Sequence, residues 1–205
     1  MKMEEMTRQA FQRHLDQAVK FHGHLCGGQV LGVRMAMVGL RELGIQDPRG
    51  QEGRDLVIYI EIDRCAVDAI ITVTGRTPGR RSIKIVDYGK MAATFVNAGT
   101  GKAVRVSVRP ESQEKITGMM VPWMPEKDEK TANIEALFRI AEDELLMVRS
   151  VRVDIRPQDL PGVPLKSISC SSCGETIRDM REIYREGQAF CRPCAENSSY
   201  YEEIT

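Results

Sequence analysis

Residues 55–71 read DLVIYIEIDRCAVDAII, and the change of period inside this stretch decides the fold class. Leu56, Ile58, Ile60 and Ile62 alternate with their neighbours, the two-residue repeat of a strand. From Asp63 the repeat is lost, and residues 63–71 open a short helix with Asp63 in the capping position. A strand handing over to a helix needs partners on both sides in sequence.

Upstream, residues 4–20 place Met6, Ala10, Phe11, Leu15, Ala18 and Val19 at helical spacing, which predicts an amphipathic helix. A punctuated stretch, Phe21-His22-Gly23-His24-Leu25-Cys26-Gly27-Gly28, separates it from a second helix over about 29–43. This second helix is apolar on most faces, and Gly44 is placed to end it. Gly28, Gly32 and Ala36 recur every four residues along it, so another element can approach its backbone closely. Met35 and Met37 read as its core packing.

Downstream, strands are expected at 83–88, at 91–97 and, after the Gly99-Thr100-Gly101 turn, through Val104, Val106 and Val108. A long helix over 128–148, with Ile134, Leu137, Ala141, Leu145 and Val148 as its inner stripe, and a last strand at 150–155 complete the pattern. The whole predicts an α+β core, a mixed or antiparallel sheet with packed helices, over residues 1–156. Pro157, Pro161, Gly162 and Pro164 make 157–165 a linker, which leaves 166–205 as a second, small domain.

Composition excludes some classes of function. The 205 residues carry 29 Lys+Arg against 29 Asp+Glu, so no net charge draws the chain to nucleic acid or an anionic membrane. No run of about 20 apolar residues is present to span a bilayer. The N-terminal segment MKMEEMTRQAFQRH has no apolar signal-peptide run, so a cytoplasmic protein is expected. Thiols stay reduced there, and cysteines then serve as metal ligands or reactive groups.

The small domain is explicit. Cys170-Ser-Ser-Cys173 and Cys191-Arg-Pro-Cys194, separated by seventeen residues, have the spacing of a zinc ribbon or treble clef. Four thiolates close the coordination shell, so this zinc is structural. Lys166, Arg178, Arg181, Arg185 and Arg192 face seven acids in the tail, a net charge of −2 that lacks the basic footprint of a nucleic-acid binder. Contact with a protein partner fits better.

The other two cysteines sit beside histidines and acids. If residues 22–26 are extended, His22, His24 and Cys26 share one side; if they are helical, His22 and Cys26 meet at i, i+4. Cys65 lies at the strand-to-helix junction beside Arg64, and both thiols are placed where a helix N-terminus favours the thiolate. With Asp68 as an orienting group or a general base, these residues can make a second, open metal site. Two separate readings stand beside it: each cysteine is a small buried apolar residue, or one of them is a nucleophile. Arg76, Arg80, Arg81, Lys84 and Lys90 cluster around a Pro-Gly turn, either as a solvated face or as a grip on an anionic group. His14, on the polar part of the first helix, reads as unrelated.

These motifs together resemble a known family. Residues 21–28 followed by Leu31-Gly32-x-Arg34-Met35-Ala36 look like the opening signature of the formylmethanofuran dehydrogenase E-subunit family. Asp63-Arg64-Cys65-Ala66-Val67-Asp68-Ala69-Ile70 resembles its second signature and Asp87-Tyr88-Gly89-Lys90-Met91-Ala92 its third. The similarity runs in consistent order over about 10–155, and some members carry a four-cysteine tail as well. The resemblance implies a dimeric α+β core with a metal near the first two signatures. Its site candidates are His22, His24, Cys26, Cys65 and Asp68, with Lys90 as a ligand-binding group, to which the cation cluster at the Pro-Gly turn adds Arg80. Two departures are visible: Gly75-Arg76-Thr77 stands where the family often has Gly-Cys-Thr, and Cys26-Gly27-Gly28 where it has Cys-Pro-Gly. Nothing here resembles the pterin-binding or iron–sulfur parts of the parent enzyme, so the chain is at most an accessory to that reaction.

Three functions follow as expectations. The first is a zinc-dependent accessory or stand-alone protein linked to one-carbon or molybdoenzyme metabolism. The second is a regulatory protein whose zinc tail contacts a transcription or other protein partner. The third is an enzyme with Cys65 or Cys26 as nucleophile, with Asp68 assisting.

Overall fold

The computed structural model describes residues 3–122, 126–202 and 204, with side chains from Arg8 onward; the expected inner position of Met6 lies outside the described side chains. The chain divides into two compact units, Met1–Asp154 and Ile155–Thr205.

In the larger unit α1 (Met3–His22) and α2 (Gly27–Leu43) precede β1 (Leu56–Ile60), α3 (Ala66–Thr74), β2 (Ile83–Ile85), β3 (Ala92–Asn97) and β4 (Ala103–Val108). Then come α4 (Ser112–Met120), α5 (Glu129–Arg139), α6 (Glu142–Leu145) and β5 (Leu146–Ser150). The five strands form one sheet in the order β2-β1-β3-β4-β5. Only the β1–β2 pair is parallel; the other three are antiparallel, so the sheet is mixed. Parallel pairing needs a crossover, and α3 lies in it.

Register explains the core. Ile58, Phe95 and Val104 lie opposite one another across β1, β3 and β4, and so do Ile60, Ala93 and Val106. All six belong to the buried cluster that includes Val33, Met35, Ala36 and Leu40 of α2. Gly39 of α2 lies flat on the Phe95 ring, where a Cβ would come within 2.3 Å of a ring carbon. Tyr59, Thr94 and Arg105 share the opposite row, and beside them Arg105 grips Glu61 with two hydrogen bonds of 2.6 and 2.7 Å. That pair holds the Glu61 carboxyl below its ordinary value against the opposing effect of burial.

Several expectations are corrected. The first helix runs on through His22, and Gly23, with φ 96°, turns the chain after it. The cap of α3 is Cys65, not Asp63: Asp63 and Arg64 are exposed in a turn that precedes the helix. The expected strand over 83–88 is only Ile83–Ile85, and α4 was not anticipated because its nine residues bury only Ser112, Ile116 and Met120.

The long helix over 128–148 does not form. Asp128 caps α5 by accepting from the Thr131 N–H at 3.0 Å, but Ile140 and Ala141 are both extended (ψ 136° and 147°). The strand starts at Leu146, four residues before the expected one, and Val148 pairs with Val106 instead of lining a helix. Glu142–Leu145 keep a helical turn, α6, but edge pairing on β4 satisfies a row of backbone groups at once and overrides its continuation from Leu146 onward.

The smaller unit holds two short hairpins, β6 (Ser167–Ser169) with β7 (Thr176–Arg178) and β8 (Ile183–Arg185) with β9 (Gln188–Phe190), followed by α7 (Arg192–Glu196).

Candidate metal centres

In the tail the first C-x-x-C pair lies in the loop of the β6–β7 hairpin and the second follows the β8–β9 hairpin. Cys170 and Cys173 come straight after β6, where Gly174 (φ 77°) makes the tight turn; Cys191 caps α7 and Cys194 lies in its first turn. The four sulfurs all lie within 4.8 Å of one another, and the Cys173–Cys191 separation is 3.9 Å. Sulfurs about 2.3 Å from one tetrahedral zinc would stand about 3.8 Å apart, so the donor set fits the ion. Backbone N–H groups of Cys191, Cys173 and Ser172 pull the Cys170 thiol down to about 6, toward the thiolate a metal requires.

The larger unit gathers a second set. Sγ of Cys26, Sγ of Cys65 and a ring nitrogen of His22 lie within 4.8 Å of one another. Neither geometry considered for residues 22–26 occurs. His22 ends α1, Gly23 reverses the chain, and Cys26 (φ −149°, ψ 165°) caps α2. The third member, Cys65, caps α3, and all three residues are half-buried.

The approach of α3 to α2 depends on small residues. A Cβ on Gly28 would lie 2.8 Å from Cys65 Cβ, and one on Gly32 would lie 2.7 Å from Ala69 Cβ and 2.8 Å from the Ala66 carbonyl oxygen. The four-residue repeat of the sequence thus serves α3, and it brings the two thiols together.

Asp68 and Gln29 complete the arrangement. Asp68 Oδ2 lies 2.8 Å from His22 Nδ1, so Nδ1 donates to the carboxylate, and a neutral ring keeps Nε2 as its acceptor. His22 Nε2 is buried and has no hydrogen-bond partner among the described residues. A carboxylate behind the imidazole and an empty-handed nitrogen in front is the arrangement of a metal-binding histidine. Gln29, completely buried, donates from Nε2 to the Cys65 carbonyl at 2.6 Å. Sequence reading passed over it, although a lone amide in an apolar helix was the available signal.

The expected set contracts in other respects. His24 is exposed and is not one of the three clustered ligands; its ring stands 4.7 Å from that of His22, tilted by 40°. The expectation that Cys65 favours the thiolate is also corrected: burial, then the neighbouring Cys26 thiol, pushes Cys65 up. Lys90 and Arg80 are exposed, and no hydrogen bond or ion pair joins either to His22, Cys26 or Cys65 among the described residues. Lys90 instead lies over the Tyr88 ring, 5.8 Å from its centroid.

Residues 21–151 match the family described as FmdE, molybdenum formylmethanofuran dehydrogenase operon. The chain belongs to that family. Residues 164–200 match a second description, the prokaryotic dksA/traR C4-type zinc finger. Among curated proteins, a probable S-adenosyl-L-methionine-binding protein of Archaeoglobus fulgidus is 38% identical over 104 residues. That stretch is 50% of this chain but only 28% of the relative's length. The crystal structure of an FmdE-like protein of the tungsten formylmethanofuran dehydrogenase type, from Syntrophus aciditrophicus, shares the fold, with a TM-score of 0.61 at 21% identity, over 93% of this chain and 95% of that one. No helix among the described residues is long and apolar enough to cross a membrane.

The Asp68–His22 pair makes a direct prediction. Asp68→Ala should weaken zinc at the core cluster by about 10–100-fold, the usual cost of losing a ligand's supporting carboxylate. Competition titration against a chromophoric chelator would read this, and tail zinc serves as an internal standard. Unchanged core affinity would show that Asp68 does not orient His22 for a metal.

Proposed function

We propose that this FmdE-family chain is a zinc-dependent accessory or stand-alone protein linked to one-carbon or molybdoenzyme metabolism, with His22, Cys26 and Cys65 holding an open metal. The observation that carries the reading is the gathering of a His22 ring nitrogen and the Cys26 and Cys65 sulfurs within 4.8 Å of one another, with Asp68 on Nδ1 and a buried Nε2 that has no partner among the described residues. A buried nitrogen without a partner is costly, and a metal ion satisfies it. Three protein ligands leave a zinc ion one position for water or substrate, where it acts as a Lewis acid. The chain's own residues then have separate tasks. Asp68 fixes the tautomer and direction of His22, and Gln29 anchors the backbone that carries Cys65.

Elemental analysis of the full chain, reconstituted with zinc under reducing conditions, tests the reading against the Cys65→Ser variant. Two ions per chain, falling to one in the variant, are expected. One ion in the unaltered protein, retained by Cys65→Ser and lost by Cys194→Ser, would overturn the core site and return Cys26 and Cys65 to plain thiols.

A second reading, an interaction protein acting through its tail, is favoured by the dksA/traR-type match over 164–200. The tail also exposes Met180, Tyr184 and Tyr200, apolar side chains suited to a protein contact. Co-migration of the full chain with purified RNA polymerase, abolished by Cys194→Ser, would support it; no co-migration at micromolar concentrations would remove it.

A further inference from the structure

At the C-terminal end of α3, away from the clustered thiols, Arg49 and Arg76 meet beside Gly75. Gly75 closes α3 in the left-handed region (φ 67°), and Arg76 follows. Arg76 Nη1 donates to the Gly53 carbonyl at 2.9 Å, while its Nε is buried with no acceptor. Arg49 reaches the same corner: its Nη2 donates to the Thr72 carbonyl, and its chain lies over Gly75, where a Cβ would be 2.9 Å from Arg49 Cγ and 3.2 Å from Nη1. From α1, His14 turns inward, with Nδ1 buried and no partner. Arg80 follows on the short turn Pro78–Arg80, its N–H held by the Thr77 hydroxyl.

The charges that bear on Arg76 and His14 are arginines. Arg76 is lowered by burial, then by Arg80 and Arg49; His14 is lowered by burial, then by Arg13 and Arg49. Acids close by in sequence are engaged with backbone. The Glu52 carboxylate accepts from Gln46 and Asp47 N–H at 2.6 and 2.9 Å, and Asp47 accepts from Arg49 and Gly50 N–H at 3.1 and 3.0 Å. Among the described residues no ion pair involves Arg13, Arg49, Arg76 or Arg80. Guanidinium groups stay charged at any physiological pH, so the corner cannot relieve this repulsion by losing protons.

We propose that Arg49, Arg76 and Arg80 form an anion site for a phosphate group, free or carried on a small molecule. Arg49 and Arg76 each commit one N–H to a carbonyl and keep others to donate, and with Arg80 on the adjoining turn they suit a tetrahedral oxyanion. The resident Arg76 is what distinguishes this corner from a thiol-bearing one, and it gives the Pro-Gly turn a role that Lys90 does not share.

Calorimetric titration of the zinc-loaded full chain with inorganic phosphate, at fixed ionic strength in chloride, tests the site. A parallel arm uses glycerol phosphate, and tighter binding of the ester would identify a phosphorylated metabolite as the source. Saturable phosphate binding is expected, weakened about tenfold or more by Arg76→Gln and by Arg80→Gln. Arg80 is exposed, so its variant reads the site even where loss of the Arg76–Gly53 bond disturbs folding. Phosphate binding no tighter than sodium chloride, or binding unchanged by Arg80→Gln and by a folded Arg76→Gln, would overturn the proposal.

Discussion

Stripping zinc from the tail with a strong chelator should unfold residues 164–200 and leave the sheet of the larger unit folded. The reason lies in what the tail buries. Cys170, Ile177, Ala189 and Ala195 are its buried apolar residues, and its four strands are three residues each. So small a core cannot offset the conformational entropy of ordering about 40 residues. Metal coordination must supply the difference, apparent values for comparable small zinc modules being about 10–16 kcal/mol near neutral pH. Hydrogen exchange read by mass spectrometry checks this directly. Peptides spanning β6 to α7 should lose protection in chelator, as they should in Cys173→Ser, while peptides of β1, β3 and β4 keep theirs. Persistent protection of the Cys170 and Cys191 turns in metal-free protein would mean that the hairpins stand without an ion.

That tail was legible from its sequence because four cysteines at fixed spacing leave few alternatives. The sheet was legible for a related reason. In β1, β3 and β4 the two-residue repeat coincides with burial against α2, so local pattern and tertiary packing agree at Ile58, Phe95 and Val106. Where they disagree, packing prevailed. Leu145 and Val148 belong to a helical stripe by spacing, yet the open edge of β4 claims the chain from Leu146 onward, and Arg109 Nε donates to the Leu146 carbonyl at 3.0 Å. Nothing local in Arg139–Val148 encodes the existence of that edge.

The candidate site divides in the same way. Cys26, Cys65 and His22 were legible because soft ligands at two helix starts are unusual in so ordinary a composition. The exclusion of His24 was not, since it depends on one backbone angle, the positive φ of Gly23, that turns an alternating segment into a corner. The bond from Asp68 to His22 spans 46 positions of sequence, and that from Gln29 to Cys65 spans 36. No spacing rule reaches that far. At Cys65 burial and the neighbouring Cys26 thiol push the thiol up, against the thiolate that its place at a helix start suggests.

Replacing Gly32 by valine should abolish the core metal site without touching any ligand. A Cβ at this position would lie 2.8 Å from the Ala66 carbonyl oxygen, 2.9 Å from Ala66 Cα and 2.7 Å from Ala69 Cβ. Two of these are backbone atoms, so no side-chain rotation relieves the clash and α3 itself must move off α2. Cys65 caps α3 and Asp68 lies in its first turn, whereas Cys26 caps α2, so the displacement separates the two thiols. Overpacking of this kind costs about 1–3 kcal/mol, and the branched side chain of valine places Gly32→Val at the upper end. A thermal melt should show that loss, and elemental analysis should find only the tail's zinc. Gly118→Ala on α4, where a Cβ meets nothing within 4 Å, supplies the control and should be neutral or stabilising by about 0.4–1 kcal/mol. Gly28→Ala should fall between the two, because its Cβ would press on the side chain of Cys65, at 2.8 Å, and lie 3.6 Å from the nearest backbone atom. Graded metal loss in the order Gly118, Gly28, Gly32 would tie ligand geometry to the α2–α3 distance. A Gly32→Val protein that melts like its parent and still carries both ions would show that the close approach of these helices does not hold the site together.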